Sequence, residues 1–257
     1  MRRILPFCYS LLAYAAFLAS FAAMVAATTG FERFGIRAID GAPTQKGATA
    51  AAIDLALILA FGVQHSVMAR ERFKAVFNRW LPGVLERSTY VLASALALGA
   101  IVRWWSPIAG TLWTVDGQVA TWAFRGVSFM GYALVVASSY TFDHFELFGL
   151  KQGWAAAQGR ACKAPEFRVP ALYRLVRHPM MLGIVVGVWA APRMSWGHVL
   201  FAAAMTAYIR VGVVFEERGM ARRFGDVYAR YRAEVRALLP WPRPSRPRAN
   251  LKPRSAS

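Results

Sequence analysis

Met180-Met181-Leu182-Gly183-Ile184-Val185-Val186-Gly187-Val188-Trp189-Ala190-Ala191 is an apolar run without a charge. Pro192-Arg193-Met194-Ser195-Trp196-Gly197 closes it, and a second apolar run follows from His198 to Phe215. Two such runs across a short break read as a helical hairpin in lipid. A bilayer core offers the backbone no water, so only helices or closed barrels satisfy its polar groups there. A full crossing takes about 20 residues. The first arm is short by that measure and is expected to be tilted or incomplete.

Four more apolar runs lie upstream: Ile4 to Ala27, Ala48 to Met68, Ser88 to Val102 and Thr121 to Phe142. The first follows Arg2 and Arg3. It is longer than the roughly 7–15-residue core of a signal peptide, so it reads as an uncleaved helix. Hydrophobic residues make up 57% of the 257 and charged residues 17%, against roughly 45–50% and 25% in a soluble domain. The fold expected is all-α, a polytopic membrane bundle of five or six helices. It ends in the C-terminal hairpin and a cytosolic amphipathic helix. Residues 1–240 are expected to form one integral membrane domain. Residues 241–257, rich in Pro, Arg and Ser, read as a basic disordered tail beside anionic lipid.

The net charge is +18. The basic residues sit in short segments beside apolar runs, which suits a membrane surface or an anionic ligand and not nucleic acid. Ala69–Arg87 holds Arg70, Arg72, Lys74, Arg79 and Arg87, and Asp143–Pro179 and the region after Phe215 are similarly basic, whereas Trp104–Ala120 has neither Lys nor Arg. Basic segments stay in the cytosol. Both termini are therefore expected on the cytosolic side of a bacterial inner membrane. The two cysteines, Cys8 and Cys162, make no zinc spacing, and no metal site is expected.

Ionisable groups inside membrane runs are costly and point to function unless they snorkel at a helix end. Asp54 near the start of its run fits either description. Gln64 and His65 fall near the cytosolic end of the same run. Asp143 and His144 close the run ending at Phe142, after Ser138, Ser139, Tyr140 and Thr141. Either histidine is a candidate to take a proton at the interface.

The stretch Leu172-Tyr173-Arg174-Leu175-Val176-Arg177-His178-Pro179 precedes the hairpin. Pro179 suits a first helical turn, whose free amides can receive an anionic group. Arg174 and Arg177 can meet a carboxylate. Gly183 leaves room for a ligand or a neighbouring helix. After the hairpin come Glu216 and Glu217, about 100° apart on a helix and so unlikely partners in one task. Then comes Phe224-Gly225-Asp226-Val227-Tyr228-Ala229-Arg230-Tyr231. At helical spacing Phe224, Tyr228 and Tyr231 share a face, suited to lipid headgroups or to a flat adenine.

In this order, Arg-His-Pro-x-x-x-Gly, the hairpin, Glu-Glu and Phe-Gly-x-x-Tyr-x-x-Tyr resemble the isoprenylcysteine carboxyl methyltransferase-like membrane enzymes. The resemblance covers Leu172 to Pro240. One departure is Met181, where many relatives have Tyr, and it argues against a prenylcysteine carboxylate substrate. Gln64-His65-Ser66-Val67-Met68-Ala69-Arg70, Glu86-Arg87-Ser88-Thr89-Tyr90-Val91 and His144-Phe145-Glu146-Leu147-Phe148-Gly149-Leu150 are similar to the bacterial methanethiol S-methyltransferases of the NnrU-like branch. That resemblance implies methylation of methanethiol, a small volatile thiol, to dimethyl sulfide with S-adenosyl-L-methionine as donor. It implies a cofactor site among Arg177, His178, Pro179, Gly183, Glu216, Glu217, Phe224, Tyr228 and Tyr231, with His65 or His144 as catalytic base. Two rivals remain. One is a haem-dependent isomerase of the NnrU-like group, with His65, His144 and His178 as axial ligands. The other is a non-enzymatic membrane component of nitrogen-oxide respiration or a small transporter.

Overall fold

The computed structural model describes residues 4–32, 35–160 and 169–239. Cys162 and the tail expected over 241–257 lie outside them. Ten α-helices are described: α1 (Leu5–Thr29), α2 (Gly47–Met68), α3 (Glu71–Trp80), α4 (Glu86–Trp104), α5 (Gln118–Phe142), α6 (His144–Leu147), α7 (Leu150–Ala157), α8 (Ala171–Leu175), α9 (Pro179–Trp189) and α10 (Trp196–Glu234). Among the described residues the strand content is one small antiparallel pair, β1 (Thr111–Thr114) with β2 (Arg193–Ser195). Five of the described helices are long and apolar enough to cross a membrane, those of α1, α2, α4, α5 and α10. The protein is an all-α integral membrane bundle.

Contacts between helix ends establish the path of the chain. At one end, Tyr9 and Thr89 share a hydrogen bond at 3.0 Å, as do Tyr14 and His144 at 2.7 Å. The start of α1, the start of α4 and the end of α5 therefore lie together. The segment from α2 to α4 is on this side, so it is called the basic end below. At the opposite end, Arg125 Nε donates to the Thr29 carbonyl (3.2 Å) and the Ser106 amide donates to Asp54 Oδ1 (2.8 Å). Asp54 is fully buried, so it is a packing group of this end and not a snorkelling one.

The short arm α9 also traverses the bundle. Tyr173 of α8 meets Phe142 at the basic end, ring centroids 4.7 Å apart. Beyond α9, β2 pairs with β1 at the opposite end. Eleven helical residues span about 17 Å, well short of the roughly 30 Å hydrocarbon core. Non-helical chain at 176–178 and 190–195 makes up the rest. The described residues thus run through the bundle six times, and their first and last helices open and close at the basic end.

Backbone-to-backbone packing seats this arm. A Cβ on Gly183 would come within 2.5 Å of the Gly131 carbonyl oxygen, and one on Gly131 within 2.5 Å of the Gly187 nitrogen. Ser128 Oγ donates to the Gly187 carbonyl at 2.6 Å. Small residues let α5 and α9 approach this closely, which is the usual driving contact between helices in lipid. At the opposite end Asp40 joins the hairpin turn to the α1–α2 connection. Its Oδ1 accepts from the Ser195 amide and its Oδ2 pairs with His198 Nδ1, both at 2.8 Å. The other ring nitrogen of His198 meets the Val188 carbonyl at 2.8 Å. Burial alone would raise the Asp40 carboxyl, but the contacts to His198 and Ser195 outweigh it and hold it below the usual carboxylate range.

The helical face expected for Phe224, Tyr228 and Tyr231 needs correction. Gly225 breaks α10 with φ 51° and ψ −127°, a conformation open to glycine. Phe224 lies before the break and the two tyrosines after it, so a single helical periodicity does not run through all three. Tyr228 and Tyr231 stay together, ring centroids 5.9 Å apart.

Replacing Gly131 by Leu is expected to separate α5 from α9 and to cost about 1–3 kcal/mol. A drop in the thermal midpoint of purified protein in detergent checks this. The same substitution at Gly126, where a Cβ meets nothing within 4 Å, should leave the midpoint nearly unchanged.

Candidate active site

Arg177, His178 and Glu217 form the most heavily bonded polar cluster at the basic end. Glu217 Oε1 accepts from Arg177 Nε at 2.8 Å and from Arg177 Nη2 at 2.5 Å. His178 Nε2 lies 3.1 Å from the same oxygen. Glu217 Oε2 faces Arg232 Nε at 3.3 Å. The remaining Arg177 donor, Nη1, reaches the carbonyls of Arg232 (3.2 Å) and Val235. All three residues of the cluster are buried.

The backbone completes the cluster. The Arg177 and His178 amides donate to the carbonyls of Arg236 and Ala237, at 2.8 and 3.0 Å. The chain after α10 therefore lies beside the chain before α9. The His178 amide is committed to this contact and does not face a ligand. The Tyr231 hydroxyl donates to the Tyr173 carbonyl at 2.7 Å, closing the same junction on its far side. Tyr228 is buried beneath it.

The two glutamates part company, as their angular separation requires. The Glu217 side chain is 9% exposed and the Glu216 side chain 52%. Glu216 Oε2 meets His178 Nδ1 only at 3.6 Å. Its charge acts on the phenols of Tyr90 and Tyr173. Burial, with the Glu216 charge as the smaller influence, pushes the Tyr173 hydroxyl up to about 12. Glu216 is thus a half-exposed carboxylate beside His178, close enough for its charge to be felt at Tyr173 and Tyr90.

Arg174, one turn before Arg177, is exposed at the same junction. Pro179 opens α9 and is buried. Gly183 faces α5, as described above, and provides helix contact.

The two candidate histidines occupy similar settings with different access. His65 Nε2 lies 2.5 Å from the Tyr90 hydroxyl and Nδ1 3.0 Å from Ser94 Oγ. His144 Nε2 lies 2.7 Å from the Tyr14 hydroxyl and Nδ1 2.7 Å from Ser139 Oγ. His144 is also stacked on Tyr140 at 4.1 Å and tilted against Phe148 at 4.8 Å. It is 6% exposed, and burial lowers its pKa below the ordinary histidine value. His144 ties α1 to the end of α5. His65 is only half-buried, and its Tyr90 partner is one of the phenols that feel Glu216. The sequence reading missed Tyr90 and Ser94. Their i, i+4 spacing on one helix was the available signal.

A Bradyrhizobium diazoefficiens protein named methanethiol S-methyltransferase 2 is 43% identical over 235 residues, covering 90% of this chain and 88% of its own. The Mycobacterium tuberculosis methanethiol S-methyltransferase is 41% identical over 247 residues, 94% of this chain and 98% of its own. The chain belongs to the methanethiol S-methyltransferase family. A more partial likeness joins it to human nurim, 36% identical over 166 residues and 61% of this chain. No family model matches the chain, and no solved structure matches it significantly.

Membership in a methyltransferase family implies a methyl donor. Neither the haem-isomerase nor the non-enzymatic reading is favoured by those relatives.

Truncating one partner of a buried ion pair leaves the other charge uncompensated, at a cost of about 3–5 kcal/mol. Glu217→Ala is therefore expected to lower the unfolding midpoint sharply. Glu216→Gln, at a half-exposed position, should move stability by no more than about 0.5 kcal/mol. Thermal denaturation of both variants, followed by tryptophan fluorescence, provides the comparison. Equal losses would contradict the division of roles.

Proposed function

We propose that this protein methylates methanethiol on sulfur, giving dimethyl sulfide, with S-adenosylmethionine as the donor. The observation that carries the reading is the 37–43% identity, over most of the chain, to proteins named for methanethiol S-methylation. We further propose a bacterial cytoplasmic membrane with the basic end and both termini in the cytosol. The alternation of Lys/Arg-rich and Lys/Arg-poor segments supports that orientation.

The residues at the basic end fit the donor. A charged, water-soluble donor needs a site reachable from the cytosol and polar groups without strong internal partners. Glu216 is such a group, and it can accept hydrogen bonds from ribose hydroxyls or an ammonium. Arg174 can meet a carboxylate. Arg177, His178 and Glu217, bonded to one another, brace the wall from which Glu216 projects. Pro179 and Gly183 set the position of α9 behind that wall. Phe224 and Tyr231 supply partly exposed aromatic surface beside it, on either side of the Gly225 break, and the buried Tyr228 backs Tyr231.

The donor supplies a methyl group on a sulfonium sulfur and departs as a neutral thioether. The protein contributes orientation, exclusion of water and a proton acceptor. Holding the thiol sulfur in line with the methyl group converts a bimolecular encounter into a directed one. A thiol is a poor nucleophile until deprotonated, and a site of low polarity disfavours the thiolate further. Of the three histidines at the basic end, His178 is bonded to Glu217, and His65 and His144 are the candidates to relieve that difficulty.

Membranes containing the protein, supplied with S-adenosylmethionine and methanethiol, are expected to release dimethyl sulfide into the headspace. Membranes carrying Glu216→Ala should release far less at subsaturating donor, with the loss in KM for the donor. Absence of dimethyl sulfide from the wild-type membranes at any donor concentration would overturn the reading.

A further inference from the structure

Tyr90 and Ser94 are one turn apart on α4, so both side chains fall on one helical face. Both reach His65 across the α2–α4 contact, Tyr90 at 2.5 Å and Ser94 at 3.0 Å. The imidazole is held on its flat side as well, stacked on Phe61 with ring centroids 5.3 Å apart. Tyr208 of α10 approaches it edge-on at 6.3 Å. Neither nitrogen of His65 is open to a substrate without breaking an existing bond. The Tyr90 oxygen, by contrast, has a second lone pair. It is also the atom of this trio whose surroundings include the Glu216 charge.

We propose that Tyr90 is the catalytic group that meets the substrate thiol, and that it passes the thiol proton to His65. The proposal rests on the methanethiol reading above. In this step the S–H bond breaks and its proton bonds to the Tyr90 oxygen. The phenolic O–H of Tyr90 breaks in the same event, and its proton forms the new N–H at His65 Nε2. Tyr90 ends as it began, a neutral phenol, and the substrate is left as a thiolate. The required tautomer of resting His65 carries its proton on Nδ1, where Ser94 Oγ accepts it. Ser94 is thereby a positioning residue: it keeps Nε2 free of a proton and turned towards Tyr90.

The charges around the trio suit a transient proton acceptor. The Arg87 guanidinium stands 5.3 Å from the Tyr90 ring, anchored through Nε to the Leu147 carbonyl at 2.6 Å. A positive charge in that place favours a developing negative charge on the Tyr90 oxygen and opposes a lasting second cation beside it. The Glu216 carboxylate of α10 bears the opposite charge. Tyr208 of α10 carries no charge at neutral pH, and its hydroxyl is shared with Ser66 at 3.3 Å. A proton accepted by His65 is therefore not retained and returns to the water at the basic end.

The trio around His144 has the same residue types but lacks this access. Its histidine is 6% exposed, stacked on Tyr140 and tilted against Phe148.

The test uses the full chain in membranes or nanodiscs, as wild type, Tyr90→Phe and His65→Gln. Initial rates of dimethyl sulfide release are measured from about pH 7 to about pH 9.5, over which the thiolate share of the substrate rises steadily. Binding of S-adenosylmethionine is measured on the same samples by calorimetry. Tyr90→Phe is expected to lower kcat at neutral pH by about 10²–10⁴-fold, with donor affinity unchanged. The deficit should shrink as pH rises, because more of the thiol then arrives already ionised. His65→Gln should show the same pH-dependent recovery. A wild-type rate in Tyr90→Phe, a deficit constant across pH, or a loss of donor affinity would each overturn the proposal. If the wild-type protein makes no dimethyl sulfide at any pH, the underlying reaction fails and the proposal with it.

Discussion

A carboxylate that loses its water at the edge of a bilayer has to be met by donors from the protein, and Glu217 is met by Arg177, His178 and Arg232. That arrangement fixes more than one side chain. Arg177 sits where the chain enters the short arm α9, and Glu217 sits where α10 leaves the hydrophobic zone. Their pairing sets the relative height of the two arms of the hairpin. The spare donor of Arg177 and the amides of residues 177 and 178 then hold the chain beyond α10 alongside. Desolvating these charges costs several kcal/mol each, and only a complete set of partners recovers it. The cluster is accordingly complete, and Glu216 and Arg174 lie outside it, half-exposed and exposed.

The opposite face of the same arm is governed by contact distance. Gly183 and Gly187 on α9 and Gly131 on α5 bring two backbones together where any side chain would intervene. Polar bonding at the basic end and glycine packing in the middle act on one eleven-residue helix. A full-length helix would have carried residues 177 and 178 further out into water. The short arm instead opens beside mid-to-late α5, so the Arg177–His178 wall is recessed within the bundle. Recession serves a methyl transfer well, because it brings a water-soluble donor towards an apolar acceptor and limits competing water.

The sequence made the helices and the hairpin legible because lipid demands long uncharged runs, and those runs are local. It also singled out Arg177, His178 and the glutamate pair, since each lies in a short ordered motif. It did not reveal what they touch. Arg177 and Glu217 are 40 residues apart, Tyr14 and His144 are 130, and Asp40 and His198 are 158. Such contacts depend on helix heights that periodicity does not encode. The angular argument for Glu216 and Glu217 separated their directions but could not say which one faced inward. The helical spacing of Phe224, Tyr228 and Tyr231 misled, because Gly225 takes a left-handed φ between the first and the second. Gly183 was open to two readings, and a helix neighbour occupies the space beside it.

The proposed donor site lies at the junction of α8, α9 and the distal part of α10. Hydrogen–deuterium exchange of the purified full chain in nanodiscs, with and without saturating S-adenosylmethionine, reads out that junction. Slower exchange on donor addition is expected in peptides covering residues 172–182 and 213–237, with little change in the β1–β2 turn at the opposite end. Protection confined to that opposite end, or no protection anywhere, would rule the site out.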